Sequence, residues 1–503
     1  MNLKSIGRRS AVLALAAMSV TLWRADSGRA DDAAAPAKAG VIGQLAVGSA
    51  DRVTSFAKLA GLPLPPFASP EGIEGAFPFI GTGKLATDQP IAVAYVAGKE
   101  LNEHQNVLFV FPVKAGGGDT SGIPGLKKTD AADTMAGDDG LPFRRTDSYL
   151  MFGGTVPVTS KYDTAELATS FKESTAADGK TVTPILKLDI DMKTARDLEP
   201  DKLNQFMKPS GAAAKDDDAA KAVADFVTKK VDSFQMKLDG VGDDFSLSAR
   251  IAPLHVDVAE FEKAGLPDDC VLRADACLTS KAVQAFKESM AKYAKKSQRD
   301  DATLALFEAV FVGDSESVGL SPAGGGTLFD VVHHPNPGDL KQTLRPIVDM
   351  YNGDKAAEHP IGAALSEYTT AGGATVERVT LKLTDDKVEL YVDTFAKGDT
   401  IYTSWSASDG HTVESLAGLK SEGMTKSVAS GWVKVVEGQK LMEEMVKKWS
   451  PSDANPPLDK SVADLIGDKP LHWSAENDGD GMRLTVGLTR GMIQAIGKIA
   501  TGG

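Results

Sequence analysis

ILKLDIDM, residues Ile185–Met192, decides the fold class. Leu186, Leu188, Ile190 and Met192 alternate with Lys187, Asp189 and Asp191. A period of two sends successive side chains to opposite faces of a strand, so one face is apolar and the other wet. Parallel sheets are covered on both faces and their strands read as unbroken apolar runs. The alternation therefore predicts an antiparallel sheet. Downstream, an acidic, Ala-rich stretch around Asp216–Asp218 precedes Ala222, Val223, Phe226 and Val227, which are spaced for a helix. A hairpin follows, in which Phe234, Met236 and Leu238 pair across Gly240–Asp244 with Phe245, Leu247 and Ala249. Upstream, Ser49 caps a helix carrying Val53, Phe56, Ala57 and Ala60, with Gly61 and Pro63 after it. Two apolar strands, Pro90–Ala97 and Asn106–Val113, come next, then a Gly/Asp-rich loop over Lys114–Gly140. Tyr149–Phe152 reads as a strand and Asp163–Glu173 as a helix.

From Gly265 the pattern begins again. GLPDDCVLRADA (Gly265–Ala276) reads as a strand, and a helix from Ser280 carries Val283, Phe286, Met290 and Tyr293. A hairpin spans Glu316–His333 around Gly324-Gly325-Gly326, and another pairs VERVTLKL with KVELYV around Asp385-Asp386. IYTSWS leads into a helix near Thr412, much as YLMF leads into Asp163. LHWSAENDGDGMRLTVGL closes the chain's β pattern with a long hairpin. The expected fold is α+β, with two diverged units over residues 41–264 and 265–503, each an antiparallel sheet flanked by helices.

The first forty residues read as address and tether. Lys4, Arg8 and Arg9 form a basic start, Ala11–Trp23 is an uncharged apolar run, and Gly28-Arg29-Ala30 offers small residues for cleavage. These are the three parts of an export signal over residues 1–30, and the run is too short for a permanent membrane helix. Asp31–Gly40 is a tether. The protein is expected in the periplasm or outside the cell, by general secretion or by the twin-arginine route that Arg8-Arg9 suggests. No later apolar run is long enough to span a membrane. Removing the five basic residues and one acid of Met1–Ala30 shifts the formal net charge from −14 to −18. So acidic a chain repels phosphate backbones, which argues against nucleic-acid partners. Cys270 and Cys277 are the only cysteines. Their spacing fits neither a redox pair nor a zinc knuckle, so an oxidising compartment favours a local disulfide, with two buried thiols as the alternative.

The export signal, the Ala/Gly-rich tether, the capped helix ending Gly61-Leu62-Pro63, the VLFVFPVK strand and the LPxDxxLxA-like strand from Leu266 to Ala274 come in a set order. In this the chain resembles a loose group of secreted bacterial proteins of unknown function. The resemblance covers most of the mature chain as pattern. It implies tandem α+β units and carries over no catalytic residues.

Several constellations bear on chemistry. Gly313-Asp314-Ser315 resembles the nucleophile block of the GDSL/SGNH esterases, and the run from Asp330 to Pro335 resembles their DxxH block. Ser315, His333 and Asp330 are then the candidate nucleophile, base and orienting carboxylate, which must meet within hydrogen-bond reach. Against this, only a hairpin separates the two blocks, and no GxND block supplies an oxyanion-hole asparagine. His333, His334 and His359 with Asp330 or Asp349 lack zinc-ligand spacing, because adjacent strand residues point apart, so no metal is expected. The run from Glu476 to Gly481 imitates a calcium loop, but its twelfth position is Gly487 and both flanks read as strand. No cofactor is implied. Trp405, Trp432, Trp449 and Trp473 crowd the last hundred residues, and a helix over Lys426–Ser450 carries Trp432, Met442, Met445 and Trp449 at helical spacing. Such residues suit either an ordinary core or a groove for an apolar ligand or partner helix. The expected function is that of an exported, non-catalytic envelope protein that binds or scaffolds, its partner an unknown envelope protein or an apolar ligand. The alternatives are a carrier of a lipid or other apolar ligand, with a cavity of roughly several hundred Å³, and a serine hydrolase centred on Ser315.

Overall fold

A computed structural model describes residues 40–62, 69–97, 105–121, 123, 125–131, 133–137, 140–198, 228–277, 313–334, 337–352, 361–383, 388–416, 418–449 and 459–500. The export signal, the helices expected around 222 and from 280, and His359 lie outside these residues. The chain is α+β, its strands paired antiparallel throughout the described ladders. Contacts divide it into two compact units, a central one of His255–Asn477 and a terminal one drawn from Ser27–Leu254 and Asp478–Gly503. No described helix is long and apolar enough to cross a membrane.

In the terminal unit the strands are β1 (Gly40–Val47), β2 (Ile91–Ala97), β3 (Val107–Pro112), β4 (Lys127–Lys128), β5 (Thr134–Ala136) and β6 (Pro142–Arg145). They continue as β7 (Tyr149–Gly153), β8 (Ser174–Thr175), β9 (Thr181–Asp191), β10 (Ser233–Val241) and β11 (Asp244–Ala252). Their order across the sheet is β4-β5-β6-β7-β3-β2-β1-β9-β10-β11, with β8 beside β9. The helices are α1 (Ala50–Ala60), α2 (Pro70–Ala76), α3 (Val156–Lys161), α4 (Thr164–Ser170) and α5 (Met192–Leu198). Ser49 caps α1 by accepting from the Arg52 amide, and Gly61 ends it in the left-handed conformation that glycine adopts without strain. Asp163 caps α4 by accepting from the amides of Ala165 and Glu166. One face of the sheet (Ala46, Ala92, Ala94, Leu108, Val110, Tyr149 and Met151) is buried against Leu167 and Phe171 at the end of α4.

The central unit holds β12 (Phe261–Glu262), β13 (Leu272–Cys277), β14 (Ser315–Ser321), β15 (Thr327–His333), β16 (Ile361–Thr369) and β17 (Thr375–Leu383). After them come β18 (Val388–Lys397), β19 (Thr400–Ser406), β20 (Met424–Thr425), β21 (Ala429–Val433) and β22 (Leu471–Asp478). The sheet runs β16-β17-β18-β19-β15-β14-β13-β21-β22, and β12 pairs separately with β20. Helix α6 (Leu340–Tyr351) buries Leu340, Leu344 and Val348 on Val379, Val392 and Ile401. Helix α7 (Val435–Trp449) sets Leu441 and Met445 on Val271 and Leu320, and α8 (Lys460–Ile466) follows. The opposite face is closed by Leu266, Val413 and Leu416 over Phe329, Val331 and Phe395. That face also carries two fully paired arginines: Arg273 grips Asp275 through two 2.8 Å bonds, and Arg378 grips Asp393 at 2.6 and 2.8 Å. Finally β23 (Gly481–Leu488) returns to the terminal unit beside β11, and α9 (Arg490–Ala500) packs there on α1.

Two expectations need correction. The disulfide between Cys270 and Cys277 is not formed: both are free, buried thiols. Cys270 Sγ lies against the apolar group around Leu266, whereas Cys277 ends β13 and its thiol approaches the Ala259 carbonyl at 3.4 Å. An extended strand rises about 3.3 Å per residue, so Leu272 and Cys277 alone are roughly 16 Å apart, beyond the ~7 Å limit for a bridge. Burial pushes the Cys270 thiol up to about 12 and raises that of Cys277 as well, so neither is a ready thiolate. The helix expected from Lys426 instead begins at Val435, because Ala429–Val433 is drawn into the ladder between β13 and β22.

The close approach of α9 to α1 depends on one missing side chain. A Cβ on Gly497 would stand 1.6 Å from the Ala60 carbonyl oxygen, so Gly497→Ala must push the helices apart. We expect it to cost ~1–3 kcal/mol in urea unfolding. Gly75→Ala in α2, with nothing within 4 Å of the new Cβ, should leave stability unchanged or slightly higher.

Candidate functional site

The hydrolase residues are only partly brought together. Ser315 and His333 are directly opposed across β14 and β15, but no hydrogen bond joins them, and Ser315 is buried while His333 is exposed. Asp330 is three residues from His333 on the same strand and so points to the other face. Asp330 therefore does not fix the imidazole. On its own face Asp330 has the Glu316 carboxyl as a neighbour and Thr403 opposite it on β19. Asp330 is 1 % exposed, and among the described residues its oxygens face no hydrogen-bonding group other than the Glu316 carboxyl. Burial first, and then the adjacent carboxylate, push Asp330 well above the usual range; burial raises Glu316 too. This is an acid pair, Asp330 buried and Glu316 half-buried, on the side of the sheet away from His333.

Among the described residues no group of three His, Cys, Asp or Glu is arranged to hold a metal ion. His334 follows the end of β15 and Asp349 lies on α6. In the stretch that imitates a calcium loop, arginines occupy the carboxylates. Asp478 takes Arg250 Nε at 3.1 Å and Arg483 Nη2 at 2.6 Å, and Asp480 takes Arg250 Nη2 at 2.6 Å.

The tryptophans do not share a groove. Trp405 on β19 packs toward the α6 core, whereas Trp432 on β21 packs on the opposite face near Phe329. Trp473 sits across from Gly431, whose missing side chain makes room for the indole. It shares a face with Trp405 but lies five strand spacings away, about 24 Å. Trp449 ends α7, and its side chain is outside the described residues. Two described cavities, of about 400 and 520 Å³, are lined by Lys128, Thr129, Asp130 and Arg145 and by His255, Asp257, Lys426 and Asn477. Val258 and Ala259 also line the second and Met135 and Phe143 the first, and neither is lined by a tryptophan.

The surface that stands out lies elsewhere. Strand register aligns three rows across β2, β1, β9, β10, β11 and β23 of the terminal sheet. The middle row is Val93, Leu45, Leu188, Met236, Ala249 and Leu484. One flanking row is Ile91, Val47, Leu186, Leu238, Leu247 and Val486; the other is Tyr95, Gly43, Ile190, Phe234, Ile251 and Met482. The middle row continues beyond Val93 through Phe109, Phe152, Phe143 and Met135. The reverse of the same strands carries Lys187, Asp189, Gln235, Lys237, Arg250 and Arg483. Apolar strand residues facing away from charge should be buried. Yet Leu45 is 45 % and Val93 36 % exposed, in the middle of the sheet, and of the other sixteen only Ile91 and Met482 are fully buried. Single exposed apolar residues are ordinary, but a continuous patch marks a binding surface. Each strand's alternation was legible; what no single strand could reveal is that their apolar positions fall in register and stay partly uncovered.

The acid pair makes stability depend on pH. Its folded pKa values are raised, so below the unfolded values both states are protonated and nothing is lost. As pH climbs from about 4 through the raised value of about 7 for Glu316, only the unfolded chain ionises freely and stability falls. Asp330→Asn should flatten this slope and raise the melting temperature at pH 8 by ~2–6 °C, with little change at pH 4.5, measured by thermal unfolding across that range.

No protein-family model matches the chain, and no curated protein matches it. A solved structure titled "Structure of crystal form III of TP0453" aligns with 50% of this chain and 99% of that one, at 9% identity and a TM-score of 0.22.

Proposed function

We propose that this chain is an exported, non-catalytic binding protein whose working surface is the partly uncovered apolar face of the terminal sheet. The observation that carries the reading is the exposure of Leu45 and Val93 at the centre of three aligned apolar rows. A sheet face with no binding role is normally closed by helices, because uncovered apolar surface costs about 25 cal/mol per Å². The basic start at Lys4, Arg8 and Arg9, the apolar run Ala11–Trp23 and the small residues at Gly28–Ala30 support export. The wrong-way orientation of Asp330 weighs against hydrolysis at Ser315.

The two units are proposed to be diverged copies of one α+β unit. What supports this is strand order: β4-β5-β6-β7-β3-β2-β1-β9-β10 in the terminal sheet runs in the same sequence of connections as β16-β17-β18-β19-β15-β14-β13-β21-β22 in the central one. In the central copy α6 and α7 pack on the face equivalent to the apolar rows. Among the described residues that face is less fully covered in the terminal unit, where residues 199–227 between β9 and β10 lie outside the description.

The test is saturable binding of the apolar dye 1-anilinonaphthalene-8-sulfonate, followed by fluorescence. Leu45→Gln with Val93→Gln should weaken it at least several-fold. Leu419→Gln, at a 41 % exposed leucine of the central unit, should not. Equal dye binding by all three proteins would remove the proposal.

A further inference from the structure

We infer that the outer edge of β16, over residues 365–369, takes an extended peptide as an added strand, with a lysine or arginine of that peptide opposite Glu367. This surface belongs to the central unit and is not the apolar face of the terminal sheet. Backbone parity shows which groups the edge leaves unpaired. β16 pairs with β17 in unbroken register, from Ile361 opposite Leu383 to Thr369 opposite Thr375. In an antiparallel pair alternate residues turn their N–H and C=O toward the partner, and the residues between them turn outward. Two sets of bonds fix the parity here. Just past the strand the Thr370 amide donates to the Ala374 carbonyl, so Thr370 faces inward and Thr369 outward. Near the other end Ala363 faces outward too: its amide donates to Asn352 Oδ1 at 3.0 Å and its carbonyl accepts from Asn352 Nδ2. Leu365 and Glu367 share that parity. Among the described residues no hydrogen bond satisfies the amide or the carbonyl of Leu365, Glu367 or Thr369.

Ala364, Ser366, Glu367 and Thr369 are exposed along this edge. Unpaired edges are templates for another chain, and proteins ordinarily blunt them with short strands, lysines or prolines. The outermost described strand of the terminal sheet does so: β4 is two exposed lysines, Lys127 and Lys128. β16 runs for 9 residues without a lysine or a proline. It is blocked only near its start, where the Asn352 side chain stands in for one rung of a neighbouring strand. The three open rungs cover about 13 Å, enough for a peptide of about five residues.

Charge selects the peptide. Directly opposite Glu367 on β17 is Glu377, 8 % exposed, whose Oε2 meets no donor among the described residues. Glu367 itself pairs with Lys341 of α6. Burial raises the Glu377 carboxyl, Lys341 lowers it, and Glu367 and Asp339 raise it again, so three acids share one ammonium. A residue opposite Glu367 on an added strand stands on the same face within about 5 Å, where opposite charges attract and like charges repel. A second copy fits less well. Pairing centred on this residue sets Glu367 against Glu367, and each chain carries a formal net charge of −14.

The probe is a blocked, dansyl-labelled peptide of alternating threonine and valine with one central lysine, titrated with the full mature chain and followed by fluorescence anisotropy. Saturable binding is expected, weakened at least tenfold when the lysine is replaced by glutamate. Methylating the backbone nitrogen of the lysine, which faces the edge, should abolish binding; methylating that of the next residue, which faces away, should not. Glu367→Lys should reverse the preference, so that the glutamate peptide binds at least tenfold better than the lysine one. Thr369→Pro removes an outward N–H where an edge strand tolerates proline, and should weaken the lysine peptide several-fold. Circular dichroism checks that both variants fold. No saturation by ~1 mM peptide, or equal loss from the two methylated peptides, would overturn the inference. A dimer of the peptide-free chain that dissociates in Thr369→Pro, seen by sedimentation velocity, would overturn the peptide in favour of a second copy.

Discussion

The terminal unit is governed by strand register. Antiparallel pairing forces directly opposed residues onto the same side of a sheet, so alternation in one strand is either reinforced or cancelled by the next. Here it is reinforced five times, from Val93 through Leu45, Leu188, Met236 and Ala249 to Leu484. A slip of one residue in any of these strands would put Lys187 or Arg250 among the leucines. The same register gathers charge on the reverse face, where Gln44, Asp189, Gln235, Arg250 and Arg483 lie in line. Helices then have to close the apolar side. They do so at the β3–β7 end, where Phe77 packs at a tilt on Phe109 and Phe111 and Phe79 meets Phe152 edge-on, and where Phe56 of α1 meets Phe245 the ring contact is edge-on at 5.5 Å. Among the described residues the cover thins between these two contacts, and Leu45 and Val93 are exposed.

The central unit meets the same requirement differently. Leu344 of α6 and Leu441 of α7 fill its equivalent face, and the opposite face is fastened by the Arg273–Asp275 and Arg378–Asp393 pairs. Buried ion pairs of this kind contribute little net stability, but breaking one partner is costly, so they fix a single arrangement. Asp330 is the exception on the α6 side: a nearly inaccessible carboxyl beside Glu316 with no counter-charge. Its desolvation is tolerated because the pair can remain protonated at neutral pH.

Legibility followed the length of the pattern. ILKLDIDM and the Phe234–Ala249 hairpin were read correctly because each carries its own alternation and turn signal. The strand Gly40–Val47 was missed although it is central, since Gly40, Gly43 and Gln44 interrupt its apolar period and it abuts a tether-like segment. Trp432 was placed on a helix because its spacing from Trp449 fits one; pairing of Ala429–Val433 with β13 overrides that spacing. The cysteines failed for a reason of geometry, an extended strand holding the two sulfurs apart. The esterase-like blocks could be judged only once register was known, because whether Asp330 faces His333 is a matter of parity along β15. The aligned apolar face was least legible of all. Leu45, Leu188, Met236 and Leu484 are scattered over most of the chain and become neighbours only through pairing.

Native mass spectrometry of the mature protein, purified without detergent from its own cell envelope, tests the central claim most directly. A chain carrying the added mass of an apolar ligand, and losing it when Leu45 and Val93 are both glutamine, is the predicted result. A clean apo mass from the unmodified protein would contradict the account and leave the uncovered apolar face without an occupant.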